Sequence, residues 1–226
     1  MNIVAIETAT PACAVGVRTA AGAEVTRVVD DGRRHTEALT PALHDVLEEV
    51  ALRPRDIERV VVDRGPGLFT GLRVGIATAI ALSQALGCEL VGVTSLEMLA
   101  GGAFASGVRG TLVACVDGRR GEIFTQSFTL DTEVDPLDVA RVTTAHEAVA
   151  MWQTKGTPVT FTGDGVERYR GDFDHLGFST IFDQIVPSLH AALSLGALRS
   201  PDAVVTPLYL READAVANFT TRERPQ

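Results

Sequence analysis

Val60-Val61-Val62-Asp63-Arg64-Gly65-Pro66-Gly67-Leu68-Phe69-Thr70-Gly71-Leu72-Arg73-Val74-Gly75 decides the fold class. The valines suit a buried strand, and apolar residues resume after the glycines as a helix expected from about Leu72 to Leu86. Gly87 stands where that helix needs a left-handed C-terminal cap. A strand passing through a glycine-rich turn into a helix is the building unit of an α/β sheet covered by helices. The turn matches neither the Walker pattern, which ends in Gly-Lys-Ser/Thr, nor G-x-G-x-x-G. Two uses compete for it. Glycines permit close backbone packing, and backbone N–H groups at a helix N-terminus offer a seat for an anion.

Outward from this unit, Asn2 to Ile6, Cys13 to Arg18 and Glu24 to Val29 read as three strands joined by short turns, an antiparallel meander. Leu39, Leu43, Val46, Leu47 and Val50 recur at helical spacing, with Pro41 near the first turns, where proline is best tolerated. Glu89 to Val93 is a further strand, and Ser95 is placed to cap the next helix. The order β-β-β-α-β-α-β-α implies a mixed sheet with covering helices, as in one lobe of the actin-like and ribonuclease-H-like superfamily. Beyond it, Thr111 to Val116 and Glu122 to Phe128 form a hairpin around Asp117-Gly118-Arg119-Arg120-Gly121. Thr144 to Glu147 is a capping-box pattern opening a helix to Trp152. Val159 to Thr162 suits a strand ending at Gly163-Asp164-Gly165, and Ser188 to Arg199 a last helix. The expected organisation is an N-terminal lobe over 1–105, a smaller, reduced second lobe over 106–213, and a frayed tail over 214–226.

Composition narrows the function. The 226 residues carry a net charge of −9, with 20 Lys and Arg against 29 Asp and Glu, and both halves are acidic. No stretch gathers the cations that a phosphate backbone requires, so any RNA is expected to be met through a partner. Lys155 is the only lysine and lies outside any glycine-rich motif, which disfavours phosphate-loop and Schiff-base chemistry. Cys13, Cys88 and Cys115 lie far apart in apolar runs and read as reduced, buried thiols. Glu7 interrupts the N-terminal apolar run, and Val74 to Leu82 is too short to span a bilayer, so a soluble cytoplasmic protein is expected.

Few groups are arranged for catalysis. His35, His44, His146, His175 and His190 show no metal-pair spacing, and no serine sits in G-x-S-x-G. His35-Thr36-Glu37 resembles the H-x-E half of a zinc deaminase without the P-C-x-x-C half, so His35 reads as a polar residue at a helix start. Glu7 and Asp117, each at a strand end, suit either turn capping or magnesium held through water. Between Val74 and Leu86 only Thr78, Ser83 and Gln84 are polar, while Ala77, Ala81 and Ala85 are spaced for close helix approach. A helix apolar nearly all round must be covered on more than one side. Burial inside its own subunit and contact with another chain both satisfy that pattern.

Several segments together carry a resemblance. Ile6-Glu7-Thr8-Ala9-Thr10, His35-Thr36-Glu37, Arg64 to Gly75, Gly92 to Glu97, Val116 to Phe124 and Pro207-Leu208-Tyr209-Leu210-Arg211 occur in the order of the TsaB (YeaZ) family, which this chain resembles over nearly its whole length. The resemblance implies an actin-like fold and a subunit without catalytic residues or an intrinsic metal. Such a subunit pairs with the paralogue TsaD as a heterodimer and works with the ATPase TsaE to form threonylcarbamoyladenosine beside the tRNA anticodon. It implies tRNA contact only through the complex, leaves the free chain open to either a homodimer or a monomer, and allows ATP or ADP with Mg at the level of the complex. The expected partner surface comprises Leu39, Leu43, Val46, Leu47, Phe69, Arg73, Ile76, Ala77 and Ile80. Glu7, Thr8, Gly65, Gly67, Asp117 and Arg119 are the expected nucleotide-proximal positions. Glu7 departs from the family's usual aspartate, and Pro11 stands where an acidic residue is common. The competing expectation is a stand-alone actin-like ATPase or phosphotransferase built around Glu7, Gly65, Gly67 and Asp117.

Overall fold

The computed structural model describes residues 1–30, 32, 34–174, 177 and 179–211. His175 and the expected tail over 214–226 lie outside the described residues. The first sheet comprises β1 (Ile3–Glu7), β2 (Cys13–Arg18), β3 (Glu24–Val29), β4 (Arg59–Asp63) and β5 (Glu89–Val93), in the order β3-β2-β1-β4-β5. β1, β2 and β3 pair antiparallel, whereas β1–β4 and β4–β5 are parallel. The meander and crossovers expected from the sequence are thus present.

Alternation along β1 sorts the helices. Val4 and Ile6 face α1 (His35–Glu49) and α2 (Phe69–Leu86), while Ile3 and Ala5 face α7 (Leu189–Leu198) on the other side. Sheet burial on both faces accounts for the continuous apolar strands. α7 returns to the first sheet although it was expected in the second lobe. Its Leu189, Ala192 and Leu193 join Ile3, Ala5 and Ala14 in one cluster, so its apolar face finds cover there.

The second sheet repeats the first. β6 (Gly110–Arg119) pairs antiparallel with β7 (Glu122–Leu130), which carries β8 (Val134–Pro136) and β9 (Arg141–Thr144). On its other side β6 pairs in parallel with β10 (Val159–Thr162), and β10 with β11 (Ser179–Phe182). A central strand with a meander on one flank and parallel strands on the other occurs in both sheets. The second is covered lightly, by α4 (Ala145–Lys155) and the short α5 (Asp164–Arg168) and α6 (Arg170–Phe173). β8, β9, α5, α6 and β11 were not expected from the sequence. α3 (Ser95–Ala105) lies between the sheets, where Leu96, Leu99, Ala100 and Ala103 pack on Leu112, Val116 and Phe128. Its cap is Thr94 rather than Ser95: Thr94 and Glu97 form the capping box, and the Ser95 hydroxyl turns instead to Asp63.

The contact that seats α2 is made of glycine. A Cβ on Gly67 would collide with Ala9 O, one on Gly71 with Thr8 O, and one on Gly75 with Thr8 Oγ1. Leu68 N donates to Ala9 O at 2.6 Å, and Thr8 Oγ1 donates to Gly71 O at 2.9 Å. We predict that Gly75→Ala lowers the unfolding free energy by about 1–3 kcal/mol, the range for overpacking. Adding Thr8→Ala removes the colliding hydroxyl and restores part of that loss in urea denaturation. Gly71→Ala meets backbone and is not rescued in this way.

Candidate functional site: the cleft between the sheets

The β4–α2 turn, the β6–β7 hairpin and residues 208–211 enclose a cleft of about 570 Å³. Pro66, Gly67, Leu68, Phe69 and Arg73 line one wall, and Asp117, Arg119, Arg120 and Phe124 the other. Leu208, Tyr209, Leu210 and Arg211 close it along one side. In a chain of net charge −9, four arginines face this space.

Three carboxylates at strand ends organise the turns around the cleft. Glu7, at the end of β1, accepts from Ala9 N at 2.7 Å, Thr10 N at 2.9 Å and Thr10 Oγ1 at 3.1 Å. Asp63, at the end of β4, accepts from Gly65 N at 2.7 Å and from Ser95 Oγ at 2.8 and 2.9 Å. Asp117, near the end of β6, accepts from Arg119 N at 2.9 Å. Its other oxygen lies 3.2 Å from Arg119 Nη1 and 3.4 Å from Arg168 Nε. Each of the three therefore accepts an N–H two residues onward, and all serve as turn anchors.

Burial sets their electrostatics. Glu7 and Asp63 are fully buried at the ends of neighbouring parallel strands. Burial is the largest cause that holds both carboxyls well above the usual carboxylate range; the charge of Asp63 adds to the effect at Glu7. Burial likewise pushes Asp164, which accepts from Asp117 N at 2.9 Å, up to about 6. Burial within β6 pushes the Cys115 thiol up to about 12.

The structure divides the expected site residues. Gly67, Asp117 and Arg119 line the cleft; Glu7, Thr8 and Gly65 are buried behind it and do not. Glu7 and Asp117 therefore do not converge on one accessible cation position. Of the expected partner surface, Leu39, Leu43, Val46, Leu47 and Ile76 are buried in the chain's own core against β1, β2 and β4. These are a correction: the apolar stripe of α1 faces inward, and its outer side presents Thr36, Thr40, His44 and Glu48. Ile80 is partly buried against the same cluster. Phe69, Arg73 and Ala77 are exposed, in line with the equally exposed Ala81 and Ala85.

Two groups of cleft residues were not singled out from sequence. Arg120 lies in the hairpin turn, and Tyr209 and Arg211 lie in the C-terminal segment quoted for the family order. The Tyr209 ring stacks on Phe69 at 5.1 Å, and the Arg73 guanidinium lies 3.8 Å over the Phe69 centroid. His35 Nε2 lies 2.9 Å from Thr10 O and 3.2 Å from Ala12 O, tying the start of α1 to the β1–β2 turn.

Residues 30–170 match the family model described as TsaD, tRNA N6-adenosine threonylcarbamoyltransferase. A tRNA threonylcarbamoyladenosine biosynthesis protein TsaB of Escherichia coli is 36% identical over 58% of this chain and 56% of its own length. The Bacillus subtilis protein of the same description is 27% identical over 85% of this chain and 86% of its own. The chain thus spans less than two thirds of the length of the curated relatives it matches at 36–40% identity. A Pseudomonas aeruginosa crystal structure, described as an uncharacterised protein with similarity to peptidase YEAZ, superposes with TM-score 0.80. It covers 93% of this chain and 99% of its own at 23% identity, which shows the shared fold.

Raised carboxyls at Glu7 and Asp63 give a definite sign to the pH dependence. The folded state binds protons that the unfolded chain releases in the ordinary carboxylate range. Their contribution is therefore full at low pH and is lost as pH rises through the raised values. We predict that Glu7→Gln, which keeps an oxygen for Ala9 N and Thr10 N, flattens the fall in stability between about pH 5 and pH 9. The slope should lessen by up to about 1.4 kcal/mol per pH unit, read from urea unfolding at each pH.

Proposed function

The chain belongs to the family described as TsaD, tRNA N6-adenosine threonylcarbamoyltransferase, within its TsaB (YeaZ) branch, and we propose that it is that pathway's non-catalytic assembly subunit. In this role it pairs with the TsaD paralogue as a heterodimer and supports threonylcarbamoyl transfer to the adenosine beside the anticodon. TsaE is the third component, and the setting is the cytoplasm. ATP or ADP with Mg acts at the level of the complex, and tRNA is held through partners, in keeping with the net charge of −9.

One observation carries the proposal. α2 is apolar along nearly its whole length, yet only Gly71, Leu72, Gly75, Ile76 and Ala79 of its 18 residues are buried. Length and composition alone would let it cross a membrane, but its glycine face is seated on Thr8 and Ala9 within the fold. The opposite face, Phe69, Arg73, Ala77, Ala81 and Ala85, combines an aromatic and an arginine with small residues that admit a close helix. The TsaD family model matches residues 30–170, α2 among them, which suits side-by-side pairing with the paralogue through this helix; a second copy of this chain would use the same face when alone. The carboxylates point the same way, since Glu7, Asp63 and Asp117 are engaged as turn anchors.

Ala77→Glu places an unpaired charge at the middle of this face. We predict loss of binding to the paralogue by about 100-fold or more in titration calorimetry. Thermal unfolding of the isolated variant should be unchanged, because Ala77 is exposed. Normal binding by the variant would contradict the assigned surface. The isolated chain should take up no Mg-ATP in the same instrument; tight uptake would favour a stand-alone ATPase.

A further inference from the structure

After α7 the chain runs back along the edge of the first sheet and then crosses the cleft. Asp202 N donates to Leu90 O at 2.8 Å, and its carboxylate accepts from Gly92 N at 2.8 Å. Val205 is buried beside Gly92. Leu208 N then donates to Arg64 O at 2.7 Å, at the root of the glycine turn. The following three residues divide between the lobes. Tyr209 stacks on Phe69 of α2, and its hydroxyl accepts from Arg73 Nε at 3.2 Å. Leu210 packs with Leu112, Val116, Phe124 and Phe128 of the second sheet. Arg211 Nη1 donates to Glu122 Oε2 at 2.7 Å. Consecutive residues leave no slack for one anchor to move without the next.

Glu122 is the strand partner of Arg119 across the β6–β7 hairpin. Between them the chain turns through Arg119, Arg120 and Gly121, with φ of 62°, 57° and 85°. Two non-glycine residues in the left-handed region are strained and persist only where neighbours hold them. Asp117 holds the turn from the β6 side, through Arg119 N and the Arg119 guanidinium. Arg211 holds it from the β7 side through Glu122.

We propose that residues 202–211 form a strap coupling the exposed face of α2 to the Arg119–Arg120 turn. A protein seated on Phe69, Arg73 and Ala77 then meets that turn, with its two arginines, at a fixed position. The inference rests on the pairing proposed above and assigns Arg211 and Glu122 as positioning residues that act through the turn. Both side chains of this ion pair are about one third exposed, at 32% and 37%. Such a pair adds little to global stability, so its removal loosens the turn while the lobes stay folded.

The test uses the complex of this chain with its paralogue and the remaining transfer components, with tRNA as substrate. For Arg211→Gln the expected result is pairing affinity and KM for tRNA within about threefold of the parent, with kcat lowered about tenfold. Arg211→Lys, which keeps a cation for Glu122, and the exchange Arg211→Glu with Glu122→Arg should both recover most of kcat. A purely structural defect would not follow charge complementarity in this way. Full kcat in Arg211→Gln, or no recovery in the exchanged pair, overturns the coupling and leaves the pairing proposal standing. Loss of pairing in Arg211→Gln also overturns it, since Arg211 would then belong to the docking face itself. Failure of the parent chain to pair at all removes the pairing proposal, and the coupling with it.

Discussion

The close seat of α2 on the β1–β2 turn is the constraint on which the rest of the structure depends. Three glycines one helical turn apart let the helix lie against the backbone of Thr8 and Ala9, closer than any side chain would allow. Because that face is sealed by backbone contact, the helix has no need of large apolar groups there. Leu72, Ile76 and Ala79 are buried beside that seat and Val74, Ile80, Leu82 and Leu86 pack partly on the core, whereas Phe69, Ala77, Ala81 and Ala85 point outward. The same seat fixes where the β4–α2 turn faces the cleft, and it buries Glu7 and Thr8 behind that turn.

Duplication of the sheet explains the cleft. Each lobe ends its central strand in a carboxylate that accepts the N–H two residues on, Glu7 in the first and Asp117 in the second. Here the first is closed over by α2, and the second is neutralised by Arg119 and Arg168. What faces the cleft is chiefly cationic and aromatic, set in an acidic protein. That distribution suits recognition of an anionic group on a partner, and the cleft's own carboxylate, Asp117, is already paired with Arg119 and Arg168. Among the described residues, the segment after α7 touches both walls, through Tyr209 on Phe69 and Arg211 on Glu122.

The first hundred residues were readable because β1, β4 and β5 are short, largely apolar runs, α1 carries an apolar stripe at helical spacing, α2 stops at Gly87 and α3 opens on a capping box. β8, β9 and β11 were not, since Val134–Pro136, Arg141–Thr144 and Ser179–Phe182 are brief, half-polar edge segments whose pairing is decided by the neighbouring strand. Ser95 and Thr94 are both good caps by type; only the buried Asp63 acceptor shows which hydroxyl goes where. For α1, periodicity revealed an apolar stripe with no indication of which body it faces, and the sheet claims it. For α2, the absence of periodicity was itself the informative signal. The glycines that seat it and the alanines left outside were visible as spacing, but their opposite roles depend on where Thr8 lies. Tyr209 and Arg211 had no local pattern to mark them, because their partners Phe69 and Glu122 are distant in the chain.

Hydrogen exchange read by mass spectrometry, with this chain free and then mixed with its TsaD paralogue, tests the central claim most directly. If α2 is seated by its glycines and offered by its alanines, exchange over Phe69–Leu86 slows on mixing. Strands β8 and β11, at the far edges of the second sheet, should keep their free rates. Protection confined to those edges, with the rates across α2 unchanged, would contradict it.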